Sequence, residues 1–180
     1  GFRWTRDFIV PLLARRQASF ISAGGLVNGA SFRLTLAPGM LTSAFGNLLA
    51  AATSQATALP LPYQMGGISL TVNGVAAPLY FTSAGQLNFQ IPYETQPGPA
   101  NLRLQVDFPN GQREVFTQSF NVVPAAPGIF AGPNNTLVPF ATAKRGEPTL
   151  LFLTGDGALS PALPTGTTPA PTTPLDQLPK

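Results

Sequence analysis

The side chains in this sequence best suited to acid–base chemistry are its seven carboxylates: Asp7, Glu94, Asp107, Glu114, Glu147, Asp156 and Asp176. A glycosidase-type reaction needs two carboxylates facing each other at about 5–9.5 Å. Asp107 and Glu114 flank the turn "PNGQ" (109–112) and are candidate cross-strand neighbours. Both fall on polar faces near Arg103 and Arg113, so solvated ion pairing is the plainer expectation. The chain has no histidine and no cysteine, which removes thiolate nucleophiles, histidine-based triads and zinc sites built on those ligands. "GDG" (155–157) matches part of a calcium loop, but the other spaced acidic ligands are missing. Serine or threonine could pair with lysine as nucleophile and base, yet no motif places them. "NNT" (134–136) fits a glycosylation acceptor, a pattern short enough for chance. The expectation is a chain without catalytic residues, metal site or cofactor.

Two sets of side chains suggest binding instead. Trp4, Tyr63, Tyr80 and Tyr93 are the candidates for a sugar-binding surface, set against the ordinary role of aromatics in a sandwich core or rim. Sharper is the segment "GFRWTRDFIVPLLARRQASF" (1–20), an arm with Trp4, Phe8, Ile9, Val10, Leu12 and Leu13 around an apolar run. Its length suits one extended strand, although Pro11 lacks a ladder N–H and is tolerated only at an edge or bulge. One reading folds the arm onto its own domain as an edge strand. The other inserts it into a neighbouring copy by strand addition.

The elements that would carry these residues are strands. "SFRLTL" (31–36) alternates Phe32, Leu34 and Leu36 against polar residues, which predicts a half-buried strand. "APGMLTSAF" (37–45) predicts a turn and a short strand, whereas 46–62 is read as a long loop or a helical turn. Ile68, Leu70 and Val72 share one face, and Asn73-Gly74 is a favoured two-residue hairpin turn. "APLYF" (77–81) is the expected return strand, "SAG" (83–85) turns again, and Leu87, Phe89 and Ile91 make the next inward face. Leu102, Leu104, Val106 and Phe108 then alternate with polar residues and are answered across "PNGQ" by Phe116, Phe120 and Val122. This predicts an all-β, two-sheet sandwich over 21–133.

Composition agrees with that class. Hydrophobic residues make up 44%, enough for a core, and Gly 18 with Pro 20 suits many short strands and turns. Charged residues are only 9%, against about 25% in a typical soluble domain. The net charge of +3 lies entirely in residues 1–20, on a body that balances to zero. A nucleic-acid binder would instead carry a basic stripe on its folded body, so no nucleic-acid partner is expected. No run approaches the roughly 20 apolar residues of a membrane-spanning helix. "FIVPLLA" (8–14) is bracketed by Asp7 and by Arg15-Arg16 and precedes no small-residue cleavage site, so it is not read as a signal-peptide core.

Beyond residue 133 the pattern starts over. "KRGEPTLLFLTGDGALSP" (144–161) follows the plan of "LAPGMLTSAFGNLLA" (36–50), then gives way to Pro- and Thr-rich sequence. The segment 134–180 is therefore expected to be a partial second module, with Leu150, Leu151, Phe152 and Leu153 as the strand that would accept a donor.

"GLVNGASF", "LAPGMLTSAFGNLLA", "VNGVAAPLYFTSAGQLNFQIPYE" and "VVPAAPGIFA", in this order, resemble the Solibacter-type C-terminal domain of large secreted acidobacterial proteins. "RGEPTLLFLTGDGALSPALPTGTTPAP" looks like the start of the module that follows it, so the resemblance covers 23–171. It implies an Ig-like fold, close to the domains shared by plexins and transcription factors, and an extracellular or bacterial cell-surface setting, and it brings no catalytic residues. The arm at 1–20 and the missing later strands of the second module depart from the family pattern. The combined expectation is an Ig-like β-sandwich plus an incomplete second one, not an enzyme. Its partners would be copies of itself in a filament or, in the rival adhesive role, surface polysaccharide.

Overall fold

The structure is a computed structural model that describes residues 18–136, 138, 142, 144–160 and 162–167. The described chain is all-β. Its first sheet runs β1 (Phe20–Asn28), β2 (Leu41–Asn47), β8 (Gln86–Gln90), β7 (Leu79–Thr82) and β3 (Ser54–Gln55) in spatial order. The second runs β10 (Arg113–Val122), β9 (Gly98–Asp107), β5 (Ile68–Val72) and β4 (Gln64–Met65), with β6 (Val75–Ala76) also on β5. All these strand pairs are antiparallel. Ala44, Leu79, Leu87 and Phe89 of the first sheet share one core with Ile68, Leu70, Val72, Leu102, Leu104 and Val106 of the second. Two sheets closed over a common core make a β-sandwich.

Alternation explains why those strands form. β9 buries Ala100, Leu102, Leu104 and Val106 while exposing Pro99, Asn101 and Arg103. Asn73 (φ 50°) and Gly74 (φ 83°) take the left-handed conformations that a tight β5–β6 turn requires. The return strand is shorter than expected. Only Val75–Ala76 pairs with β5, and the chain then crosses at Pro78 so that Leu79–Thr82 joins the other sheet. The uncertain 46–62 segment is loop apart from Gly46 and Asn47 at the end of β2 and the two residues of β3.

The strand predicted for 31–36 does not form. Phe32 has φ 56° and is 62% exposed, Leu34 is 66% exposed, and only Leu36 is buried, bridged in parallel to Val122. The cause lies one turn earlier, where the Asn28 side-chain oxygen accepts the N–H groups of Ala30 (2.8 Å) and Ser31 (3.0 Å). Those amides are spent on an Asx-type turn and are lost to a ladder. The edge strand is β1 instead. Its register slips between Ile21 and Leu26, at a bulge where Gly24 has φ 69° and any Cβ on Gly25 would collide with Phe45 O.

Candidate interaction surface

Past β10 the chain leaves the sandwich and later returns to it. A two-stranded ribbon joins β11 (Gly128–Ile129) to β12 (Leu153–Thr154). The hydrogen bonds Ala126 N to Gly155 O (2.7 Å) and Phe130 N to Phe152 O (2.9 Å) extend it. Buried Thr154 fixes the ribbon to the sandwich by accepting the Leu41 N–H at 2.8 Å. The "GDG" motif belongs to this packing. Gly155 and Gly157 have φ 91° and 92°, and a Cβ on either would strike the carbonyl oxygen of Ala126 or Pro124. Glycine is needed at both positions for conformation and for close approach.

The ribbon presents an apolar ridge. Leu150, Leu151, Phe152 and Leu153 are 52, 38, 49 and 48% exposed, four large apolar side chains in a row. Among the described residues β12 has one ladder partner, β11. Trp4, Phe8, Ile9, Val10, Leu12 and Leu13 lie outside the described residues. The chain enters the sandwich beside the edge strand β10, where Ser19 N donates to Glu114 Oε2 at 2.8 Å and Ser19 Oγ donates to Leu48 O at 2.7 Å.

Among the described residues no group of three or more His, Cys, Asp or Glu gathers. Glu114 faces Val106 across the ladder, and Asp107 faces Arg113, whose Nε donates to Asp107 Oδ1 at 2.6 Å. Glu94 accepts from the Thr165 hydroxyl at 2.7 Å, and Glu147 pairs loosely with Lys144 at 3.8 Å. The hydrogen bond from Arg113, followed by one from Gln105, holds the Asp107 carboxyl below its usual range. A carboxyl depressed in the folded state stabilises above its unfolded pKa, and that contribution is lost as pH falls through the folded value. Arg113→Gln is therefore expected to raise the Asp107 pKa most of the way to normal, with Gln105 keeping part of the shift. A carboxyl-carbon NMR titration reads this directly, and an unmoved pKa would contradict the pairing.

Residues 162–167 form a strap across the first sheet. Tyr93 N donates to Thr165 Oγ1 (3.0 Å), Tyr63 Oη to Thr165 O (3.1 Å), and Gly166 N to Gln90 Oε1 (2.7 Å). Leu61 N donates to Gly166 O at 3.0 Å. Burial, with the nearby Asp156 charge second, pushes the Tyr93 phenol up. Beside the strap opens a cleft of about 570 Å³ walled by Leu41, Ala58, Leu59, Leu61 and Tyr80. Of the aromatic candidates, Tyr80 lines this cleft, Tyr63 is bound to the strap, the Tyr93 ring packs over Gly39, and Trp4 lies outside the described residues. Sequence reasoning missed Thr165 and Gln90. The hydrogen bonds that join them to the strap and to its anchor span more than 70 positions, and no local pattern announces them.

No helix among the described residues is long and apolar enough to cross a membrane. Against known proteins, the chain matches no family model, no curated protein and no solved structure.

Proposed function

We propose that this chain is a non-enzymatic structural subunit of an extracellular bacterial surface, assembling head to tail by β-strand addition. The donor is the arm, residues 1–20. The acceptor is the ribbon edge at Leu150–Leu153 of the next copy. One observation carries the reading: four consecutive large apolar side chains stand between 38% and 52% exposed beside a strand with a single described partner. Exposed hydrophobic strand edges pair with other chains unless something guards them. The resemblance to secreted acidobacterial domains supports the setting and the Ig-like description of the sandwich.

Magnitudes favour the pairing. The arm's five or so apolar side chains would gain about 6–15 kcal/mol on burial, and the half-exposed acceptor ridge about 3–6 more. Association and ordering cost about 4–15 kcal/mol. Main-chain pairing is then enough to leave a net gain. A donor and an acceptor at different places on one subunit make a head-to-tail contact, which propagates as a filament unless the rotation between subunits closes a ring.

The competing arrangement is intramolecular. Ser19 enters beside Glu114 at the start of the edge strand β10, so the arm could lie along its own sandwich. That arrangement predicts monomers from the intact chain. Deleting residues 1–16 is expected to convert fibres into monomers, read by negative-stain microscopy and light scattering. Fibres that survive the deletion, or an intact chain that never forms them, would overturn the proposal. The rival role as a carbohydrate-binding module has less support, because Tyr63 and Tyr93 are tied to the strap and to Gly39. Retention of the intact chain on a polysaccharide matrix would favour it.

A further inference from the structure

The cleft beside the strap is apolar, open and unexplained by strand addition. Leu59 is 58% exposed and Tyr80 41% exposed, and among the described residues no carboxylate, lysine or arginine lines the walls. Two polar side chains of the lining, those of Gln90 and Thr167, are already used. Gln90 donates to Gly39 O at 3.0 Å and accepts from Gly166 N, while the Thr167 hydroxyl donates to Pro164 O at 2.6 Å. A guest that fits is uncharged, mostly apolar and undemanding of hydrogen bonds from the walls.

The sequence continues from the cleft wall with a segment of that composition. Thr167 lines it, and the next residues read "TPAPTTPL" (168–175), with Pro169, Pro171 and Pro174 and no charge. Gly166, one residue earlier, is fixed on both sides by Gln90 and Leu61, so the exit point is set at the cleft wall. We propose that residues 168–175 dock in cis into the Leu59–Tyr80 cleft as an extended polyproline segment. Proline-rich chains bind aromatic-lined grooves well because their geometry is set before binding and little entropy is lost. Eight residues at about 3.1 Å each span about 25 Å. Tethering one residue away supplies an effective concentration near the millimolar range, so even a weak contact is populated.

The chain has no cysteine, so an engineered pair has no competitor. Ala58→Cys with Thr172→Cys in the full chain reports cleft occupancy, and Thr117→Cys with Thr172→Cys reports chance encounters at an exposed site on β10. Under mild oxidation the cleft pair is expected to form its intramolecular disulfide about tenfold faster or more, given that difference in local concentration. Adding Tyr80→Ser, or replacing Pro169, Pro171 and Pro174 with glycine, is expected to bring the rate down toward the control. Tyr80 is 41% exposed, so its side chain can change without touching the core and folding does not confuse that result. Equal rates at the two sites would overturn the proposal, as would a cleft rate unmoved by either change. Disulfides formed mainly between chains would assign the cleft to a second copy and overturn docking in cis. Denaturing gels and mass spectrometry read each outcome whether or not the chains polymerise.

Discussion

Asn28→Ala is expected to lower the unfolding free energy by about 2–4 kcal/mol in a urea titration. Asn28 is 1% exposed, and its carboxamide is used at both ends. Oδ1 accepts from Ala30 N and Ser31 N, and Nδ2 donates to Ala126 O at 2.8 Å. A hydrogen bond of this kind is worth about 1 kcal/mol net, and each buried partner left unsatisfied costs about 1–3. The side chain also fills the space above Gly128, where a Cβ would fall within 2.6 Å of Asn28 Oδ1. Asn28 thus holds two things at once: the reversal after β1 and the linker that starts the β11 ribbon. The loss should be uneven. Amides of β11 are expected to lose hydrogen-exchange protection well before those of β9, whose ladder does not involve Asn28. A loss below about 0.5 kcal/mol, the range of an ordinary surface change, would show that the carboxamide is not the tie described.

The same residue marks the limit of what the sequence makes legible. Where a strand buries one face without interruption, period-two alternation is visible and the strand is where the pattern says. Ile68, Leu70 and Val72, then Leu87 and Phe89, then Leu102, Leu104 and Val106 all point into the core as read. Phe32, Leu34 and Leu36 alternate just as well, and that reading fails because a side chain outside the window captures the amides. β1 fails in the opposite sense. Its bulge at Gly24-Gly25 shifts the register and breaks the alternation that would have revealed it. The candidate surfaces divide in the same way. The ridge Leu150–Leu153 is readable because a run of large apolar residues needs a partner wherever it lies. The strap and cleft are not readable, since "PALPTGT" (161–167) looks like linker sequence. What fastens it is a set of bonds to Gln90, Tyr93 and Glu94, which lie 71 to 76 positions earlier in the sequence.

The acceptor half of the assembly yields the second large effect. Leu151→Lys with Phe152→Lys is expected to abolish fibres while leaving the melting temperature within a few degrees of the parent. Both side chains are substantially exposed, at 38% and 49%, so the sandwich core does not depend on them. Lysine on a strand edge discourages pairing, and here it also meets an arm whose first 20 residues carry a net +3. Removing even half of the roughly 3–6 kcal/mol assigned to the ridge weakens each contact by about tenfold or more, and like-charge repulsion adds to that. Loss of fibres alone would not distinguish a blocked acceptor from some less specific effect of two added charges. Mixing does distinguish them. The lysine variant keeps a donor and lacks an acceptor, whereas the chain without residues 1–16 keeps an acceptor and lacks a donor. Each alone should be monomeric. An equimolar mixture of the deletion variant with the intact chain should give shortened fibres, because each truncated subunit ends growth in one direction. With the lysine variant in place of the intact chain, the mixture should stop at a 1:1 pair, since its donor arm meets the intact acceptor of the truncated chain and neither partner offers a site for further growth. Sedimentation velocity separates these outcomes: a 1:1 complex in that last mixture fits strand addition, whereas monomers alone would contradict it and long fibres would show that assembly runs through some other surface.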